Sequence, residues 1–156
     1  MVDSVQVYGP ENFGQSLLIA YQPDPFYPLD KRIAQAVAQD FAAREYRVIV
    51  ATHGSEKFPN PENFDVVLLV ANTYNWRPDW ATTGWIHKSN LKGKKVVGLT
   101  LGAGSTEWSQ QALENAIRDS GAELVASKSL WLLKPNDESR MDEKNSQVAV
   151  DLAVRL

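Results

Sequence analysis

Tyr74, Trp76, Trp80 and Trp85 crowd one short stretch of the chain, interleaved with Asn75, Arg77 and Pro78. Flat apolar rings beside amide and hydroxyl groups are the lining a planar ligand needs. Just upstream, Val66-Val67-Leu68-Leu69-Val70 is an unbroken apolar run, entered by Asp65 and ended by Asn72-Thr73. A run without alternation reads as a strand buried on both faces, the habit of a parallel sheet. Ligands of an open parallel sheet bind beyond the carboxyl ends of its strands, which is where these aromatics must then sit. The competing reading is packing. For Tyr74 and Trp76 the two readings are nearly level, and the position beyond a strand end tilts toward a ligand. Trp80 and Trp85 lie on a helix that must cover the sheet, so core or interface packing is expected of at least one. Trp108 opens a later helix beside the Gly102-Ala103-Gly104 loop and either closes a pocket or packs as a cap, whereas Trp131 falls within a strand and reads as packing.

Other chemistry is excluded by what the chain lacks. There are no cysteines, hence no disulfide, zinc thiolate or thiol nucleophile. His53 and His87 are the only histidines and are far apart in sequence, which gives no metal constellation. Glu62, Asp65 and Asp79 form no recognisable acid–base pair, and no nucleophile motif or phosphate-binding fingerprint is present, so a hydrolase is not supported. A formal net charge of −3 supplies no basic field for nucleic acid or an anionic membrane. Lys92, Lys94 and Lys95 flank a strand start and read as a solvated turn. No long apolar segment occurs, and MVDSVQVYGPENFG lacks the form of a signal peptide, so the expectation is a soluble cytoplasmic protein.

The elements that position these residues follow from their spacing. At 156 residues the chain is long enough for one domain with a full core. Residues 1–15 read as an N-terminal extension, in which Val5 to Tyr8 has the pattern of an edge strand, and 16–156 as a single domain. Leu17 to Tyr21 is the first buried strand; the loop Gln22-Pro23-Asp24-Pro25-Phe26-Tyr27-Pro28 follows, and a helix starts with Asp30 as N-cap, its inward face Ile33, Ala34, Val37, Ala38 and Phe41. Tyr46 to Thr52 is the second strand, and Gly54, Pro59 and Pro61 keep any helix before the third strand, Phe64 to Ala71, short. Pro78 suits the first turn of a helix running to about Lys88. Lys95 to Leu101 is the fourth strand and Glu107 to Ser120 a helix stopped by Gly121, with Ala112, Leu113, Ala116 and Ile117 inward. Glu123 to Leu133 holds a fifth strand, interrupted near Ser127-Lys128-Ser129; Pro135-Asn136-Asp137 then turns into a last helix with Val148, Ala149, Leu152 and Leu156 inward. Strands alternating with helices give an α/β fold with a parallel sheet and right-handed crossovers.

From Asp65 onward the chain resembles a flavodoxin. The residues that carry this are Asp65 to Val70, then Asn72-Thr73-Tyr74-Asn75-Trp76, Leu91-Lys92-Gly93-Lys94-Lys95, Gly102-Ala103-Gly104 and Ser120-Gly121-Ala122-Glu123-Leu124, about two thirds of the chain in order. The resemblance implies a flavodoxin-like three-layer sandwich with strand order 2-1-3-4-5 and non-covalent FMN at the switch between strands one and three. It makes Asn72, Thr73, Tyr74, Asn75 and Trp76 candidates for one flavin loop, and Gly102, Ala103, Gly104 and Ser105, with Trp108, for a second. Gln22, Asp24 and Tyr27 stand at the first loop. The function so implied is electron transfer with redox partner proteins. The alternatives are a flavin-free domain of this fold that binds another small molecule or a protein, and a flavin-dependent quinone reductase using NAD(P)H. An exposed Trp80 or Trp85 would mark a dimer or docking face, the oligomeric state being open.

The first loop departs from the family pattern. Flavodoxins resemble one another in a hydroxyl- and glycine-rich turn after strand one, whose amides and helix N-terminus hold the FMN phosphate. Here Pro23, Pro25 and Pro28 remove amide donors, no glycine is present, and Asp30 falls where a threonine would start the helix. Two unit charges about 4 Å apart repel by roughly 4 kcal/mol at an effective dielectric of about 20, so a carboxylate there opposes a phosphate.

Overall fold

The computed structural model describes residues 4–12, 14–132 and 144–156. Its centre is a parallel sheet of five strands: β2 (Gln15–Tyr21), β3 (Tyr46–Thr52), β4 (Val66–Tyr74), β6 (Lys95–Gly102) and β7 (Glu123–Trp131), ordered β3-β2-β4-β6-β7. Counting only these parallel strands, this is the expected 2-1-3-4-5. Two antiparallel additions enlarge it. β1 (Val5–Tyr8) pairs with β3 and covers its outer edge, with Val5 opposite Ala51. The two-residue β5 (Arg77–Pro78) folds back on the end of β4.

Alternation along each strand divides the core into two layers. Leu17, Ile19, Leu68, Val70, Val97 and Leu99 meet α1 (Leu29–Ala43) and α4 (Asn145–Ala153) through Ile33, Val37, Phe41, Val148 and Leu152. Leu18, Leu69 and Val96 on the opposite face meet α2 (Trp80–Lys88) and α3 (Glu107–Asp119) through Ile86, Leu113 and Ile117. Gly121, at φ +83°, ends α3 as the spacing requires. The connection from β3 to β4 has only a 3₁₀ turn, Pro61–Asn63, where this architecture has room for a helix. His53, Phe58 and Trp85 fill the space instead, the His53 and Phe58 rings stacked at 5.5 Å.

Four local expectations are corrected. α1 starts at Leu29 with Pro28 at its N-cap, so Asp30 lies inside the first turn and its carboxylate reaches back into the preceding loop. Pro78 belongs to β5, and Asp79 caps α2 through Thr82 N–H at 2.8 Å. β7 runs unbroken through Ser127-Lys128-Ser129; its irregularity is at Val125, which is skipped between the pairs Val96–Leu124 and Val97–Ala126. Ala112 and Ala116 are only half-buried, and Leu156 lies beyond the end of α4. Leu133 and the Pro135-Asn136-Asp137 turn fall outside the described residues.

Candidate functional site

β4 outlasts its neighbours and ends in a hairpin whose two-residue turn is Asn75-Trp76. Both turn residues have positive φ, +49° and +61°, the signature of a type I′ turn. Asn tolerates that conformation; a bulky indole does so only under strain. The Trp76 side chain is nevertheless 60% exposed, so burial within this chain does not offset the cost.

Behind the hairpin lies a network of carboxylates organised by Asn72. The Asn72 backbone N–H donates to Asp79 Oδ2 (3.1 Å), and its side-chain amide donates to Gln22 O (2.9 Å) and Asp30 Oδ2 (3.0 Å). Asp30, 2% exposed, also accepts the backbone N–H of Asp24 (2.7 Å) and, at Oδ1, that of Lys31 (2.6 Å). Asp24 in turn accepts the N–H groups of Phe26 and Tyr27 at Oδ1 and the Tyr74 hydroxyl at Oδ2. Burial pushes the Asp30 and Asp79 carboxyls above their ordinary range despite these bonds. Burial acts the same way on Asp24, but the bonds from Tyr74, Phe26 and Tyr27 outweigh it and hold that carboxyl low. Burial, with the Asp30 charge adding to it, raises the Tyr21 phenol to about 12.

The loop after β6 approaches the hairpin from the other side. A Cβ on Gly102 would stand 2.5 Å from Thr106 Cγ2 and 3.4 Å from Thr73 Cβ, so glycine is what lets the two loops meet. Thr73 Oγ1 donates to Ser109 Oγ (2.9 Å), and Trp131 Nε1 donates to Thr106 Oγ1 (3.1 Å), which fixes the start of α3. Trp108 is left 76% exposed in the first turn of that helix. Trp76, Ser105, Glu107 and Trp108 together line a cavity of about 430 Å³. A groove of about 690 Å³ continues from it between α2 and α3, past Trp80, Ala112 and Ala116.

The sequence-predicted residues therefore separate into groups. Trp76, Ser105 and Trp108 share one cavity, and Asn75 joins Trp76 and Trp108 in the adjoining groove. Gln22, Tyr74 and Asn75 line a different cavity of about 760 Å³, toward β2 and β3. Asn72 and Thr73 have their side chains engaged inside the protein, and Asp24 and Tyr27 belong to the first-loop network. Gly102 is a packing contact, and Ala103 and Gly104 complete the turn into Ser105. Of the two helix tryptophans, Trp85 packs on His53 and Phe58 while Trp80 points to solvent. Sequence reasoning passed over His53 and Arg77 as lining residues; their places directly after β3 and in the hairpin were the available signal.

FMN, which the resemblance implies, meets two different receptions here. For its ring, Trp76 and Trp108 offer flat apolar surface lining one cavity, which is chemistry that suits it. Its phosphate does not fit the first loop: carboxylates of the protein itself take the amides of Asp24, Phe26, Tyr27 and Lys31, and a dianion would face Asp24 and Asp30.

No protein-family model matches the chain, and no curated protein does. Solved structures do. Flavodoxin 2 from Bacillus cereus is similar over 90% of this chain and 99% of its own, at 22% identity and TM-score 0.68. A flavodoxin from the domain Archaea is similar over 90% and 98%, at 14% identity and TM-score 0.68. Flavodoxin 1 from Bacillus cereus gives 91% and 99%, at 15% identity and TM-score 0.66. With the sheet order and the two helix layers already described, these likenesses identify the architecture: the chain has the flavodoxin fold.

Proposed function

We propose that this chain is a flavodoxin-like electron-transfer protein that recognises a flavin by its ring, between Trp76 and Trp108, and not by a phosphate. The observation that carries this reading is Trp76 itself: a strained backbone position holds an indole largely out in solvent, facing a cavity that Trp108 also lines. Strain retained without a packing return is what a ligand-binding position shows. A bound flavin would supply one- and two-electron chemistry, and the protein's own part is to stack the ring and shield its faces. Redox partner proteins would approach over the same rim, where Tyr74, Trp76 and Trp108 are exposed.

Titration of riboflavin and FMN, followed by flavin fluorescence, tests the reading. FMN should bind no more tightly than riboflavin, and Trp76→Ala or Trp108→Ala should weaken each by about tenfold or more, the loss of one aromatic face being worth about 1.5 kcal/mol. Failure of both flavins to bind overturns it. The first loop, closed by Asp24 and Asp30, supports a second reading in that event: a flavin-free domain of the same fold that binds a different small molecule. If flavin binds, NAD(P)H oxidation with a quinone acceptor separates a reductase from a carrier.

A further inference from the structure

The cavity of about 760 Å³ lies on the other side of the hairpin from the Trp76–Trp108 slot, because β2 and β3 flank β4 on one side and β6 on the other. Its lining has hydrogen-bonding groups that the protein does not use. His53, only 5% exposed, has both ring nitrogens buried without a partner. Buried polar side chains nearly always have at least one, so this imidazole needs an explanation. Burial lowers its pKa to about 4, which keeps the ring neutral at pH 7, with one N–H to give and one nitrogen to accept.

Charge around the cavity is equally one-sided in what it offers. The Arg77 guanidinium has no ion-pair or hydrogen-bond partner among the described residues. Asp79, the carboxylate in the lining, already accepts from Asn72 and twice from Thr82. The available charge is therefore Arg77's. Trp80, 87% exposed, and Tyr74 supply flat apolar surface beside it. A multiply charged anion would feel Asp24, Asp30 and Asp79 nearby, whereas a single carboxylate held at Arg77 suits a guanidinium's paired donors.

We infer that this cavity is a second ligand site, built for a small planar aromatic acid. The ring lies against Trp80 and Tyr74, the carboxylate pairs with Arg77, and a hydroxyl or ring nitrogen at the other end meets His53.

6-Hydroxy-2-naphthoate is a probe with both ends. Its binding is read by NMR on the indole N–H signals, each assigned with a Trp→Phe variant. Titration should shift the Trp80 signal while leaving those of Trp76 and Trp108, which line the groove that Trp80 also borders, in place. The neutral 6-hydroxy-2-naphthamide should bind about tenfold more weakly. Arg77→Gln should erase that preference for the acid. Removing the hydroxyl, with 2-naphthoate, should weaken binding to the wild type but not to His53→Phe; His53→Gln, which keeps a donor and an acceptor, should retain the distinction. A silent Trp80 at millimolar probe, shifts confined to Trp76 and Trp108, or an unchanged acid preference in Arg77→Gln would each overturn the assignment. Saturating riboflavin should leave the Trp80 titration in place. The site thus stands if riboflavin fails to bind, and the flavin reading stands if the naphthoate does.

Discussion

Two loops leave neighbouring parallel strands at the same edge of the sheet and have come to opposite solutions. The loop after β2 is closed on itself: prolines remove donors, and the carboxylates of Asp24 and Asp30 take the amides of Asp24, Phe26, Tyr27 and Lys31. The hairpin after β4 is open: Tyr74 and Trp76 are exposed, and the backbone at Trp76 accepts strain to hold its ring there. An anion-binding loop needs free N–H groups, and a ring-binding loop needs exposed flat surface. The contrast teaches that the two capacities are separable on one fold, because they reside in different strands' exits.

The largest test of that contrast is Asp30→Thr. Removing the carboxylate frees the N–H groups of Asp24 and Lys31 and the Asn72 amide, the donor set a phosphate needs. FMN affinity relative to riboflavin should rise by roughly a hundredfold, corresponding to about 3 kcal/mol of relieved repulsion and new bonding. The unliganded variant should lose about 2 kcal/mol, since threonine replaces only one of the acceptors, and FMN should restore its Tm more than riboflavin does. An unchanged FMN-to-riboflavin ratio would show that the first loop's carboxylate is not what sets ligand choice.

His53 gives a contrast of sign. Its folded pKa of about 4 lies below the ordinary 6.5, so the unfolded chain binds the extra proton between those values. The stability associated with the neutral ring is complete above pH 6.5 and is lost as pH falls toward 4, about 3 kcal/mol in all at roughly 1.4 kcal/mol per unit. Asp30 and Asp79, raised by burial, act oppositely as pH falls through the carboxylate range, because the native state takes up their protons more readily. Urea melts from pH 7 to 4 should show the loss, and His53→Phe, which keeps a ring against Phe58 and Trp85, should flatten it. A wild type without that slope would mean the imidazole is solvated.

What the sequence revealed depended on whether the cause was local. The runs Leu17 to Tyr21 and Val66 to Val70 are apolar at every position, and they proved to be buried on both faces of a parallel sheet. The helix face Ile33, Val37 and Phe41 was equally explicit. Asp30 was correctly singled out, but its role depended on a partner forty-two positions away, Asn72, which no spacing rule reaches. Pro78 read as a helix start because proline favours both the first helical turn and an edge strand, and pairing with Thr73 decided between them. The aromatics were legible as a cluster; their division into two cavities was not, since it follows from which neighbours flank β4.

Gly102→Ala should test whether the two loops must touch. The added methyl meets Thr106 Cγ2 at 2.5 Å, and Thr106 is fully buried, with its hydroxyl held by Trp131. Overpacking of this kind costs about 1–3 kcal/mol. The displacement falls at the start of α3, so flavin affinity should drop with stability, whereas a naphthoate titration followed at Trp80 should be unchanged. Equal losses at both cavities would mean that they are not independent.

Trp76→Gly has the smallest expected effect on the fold and the sharpest meaning. The turn would then read Asn-Gly, a favoured type I′ dipeptide, so the substitution relieves the strain of an indole at φ +61° while keeping the hairpin. Little packing is lost, because the side chain is mostly in solvent. Stability should therefore rise by about 1 kcal/mol, a gain limited by the greater freedom of glycine in the unfolded chain. Flavin affinity should fall in the same variant, since one wall of the Trp108 cavity is gone. A protein more stable and less able to bind is what strain kept for function predicts. If stability falls instead, the indole contributes to the fold, and its exposed position has a structural explanation that leaves the ring-binding reading without its main support.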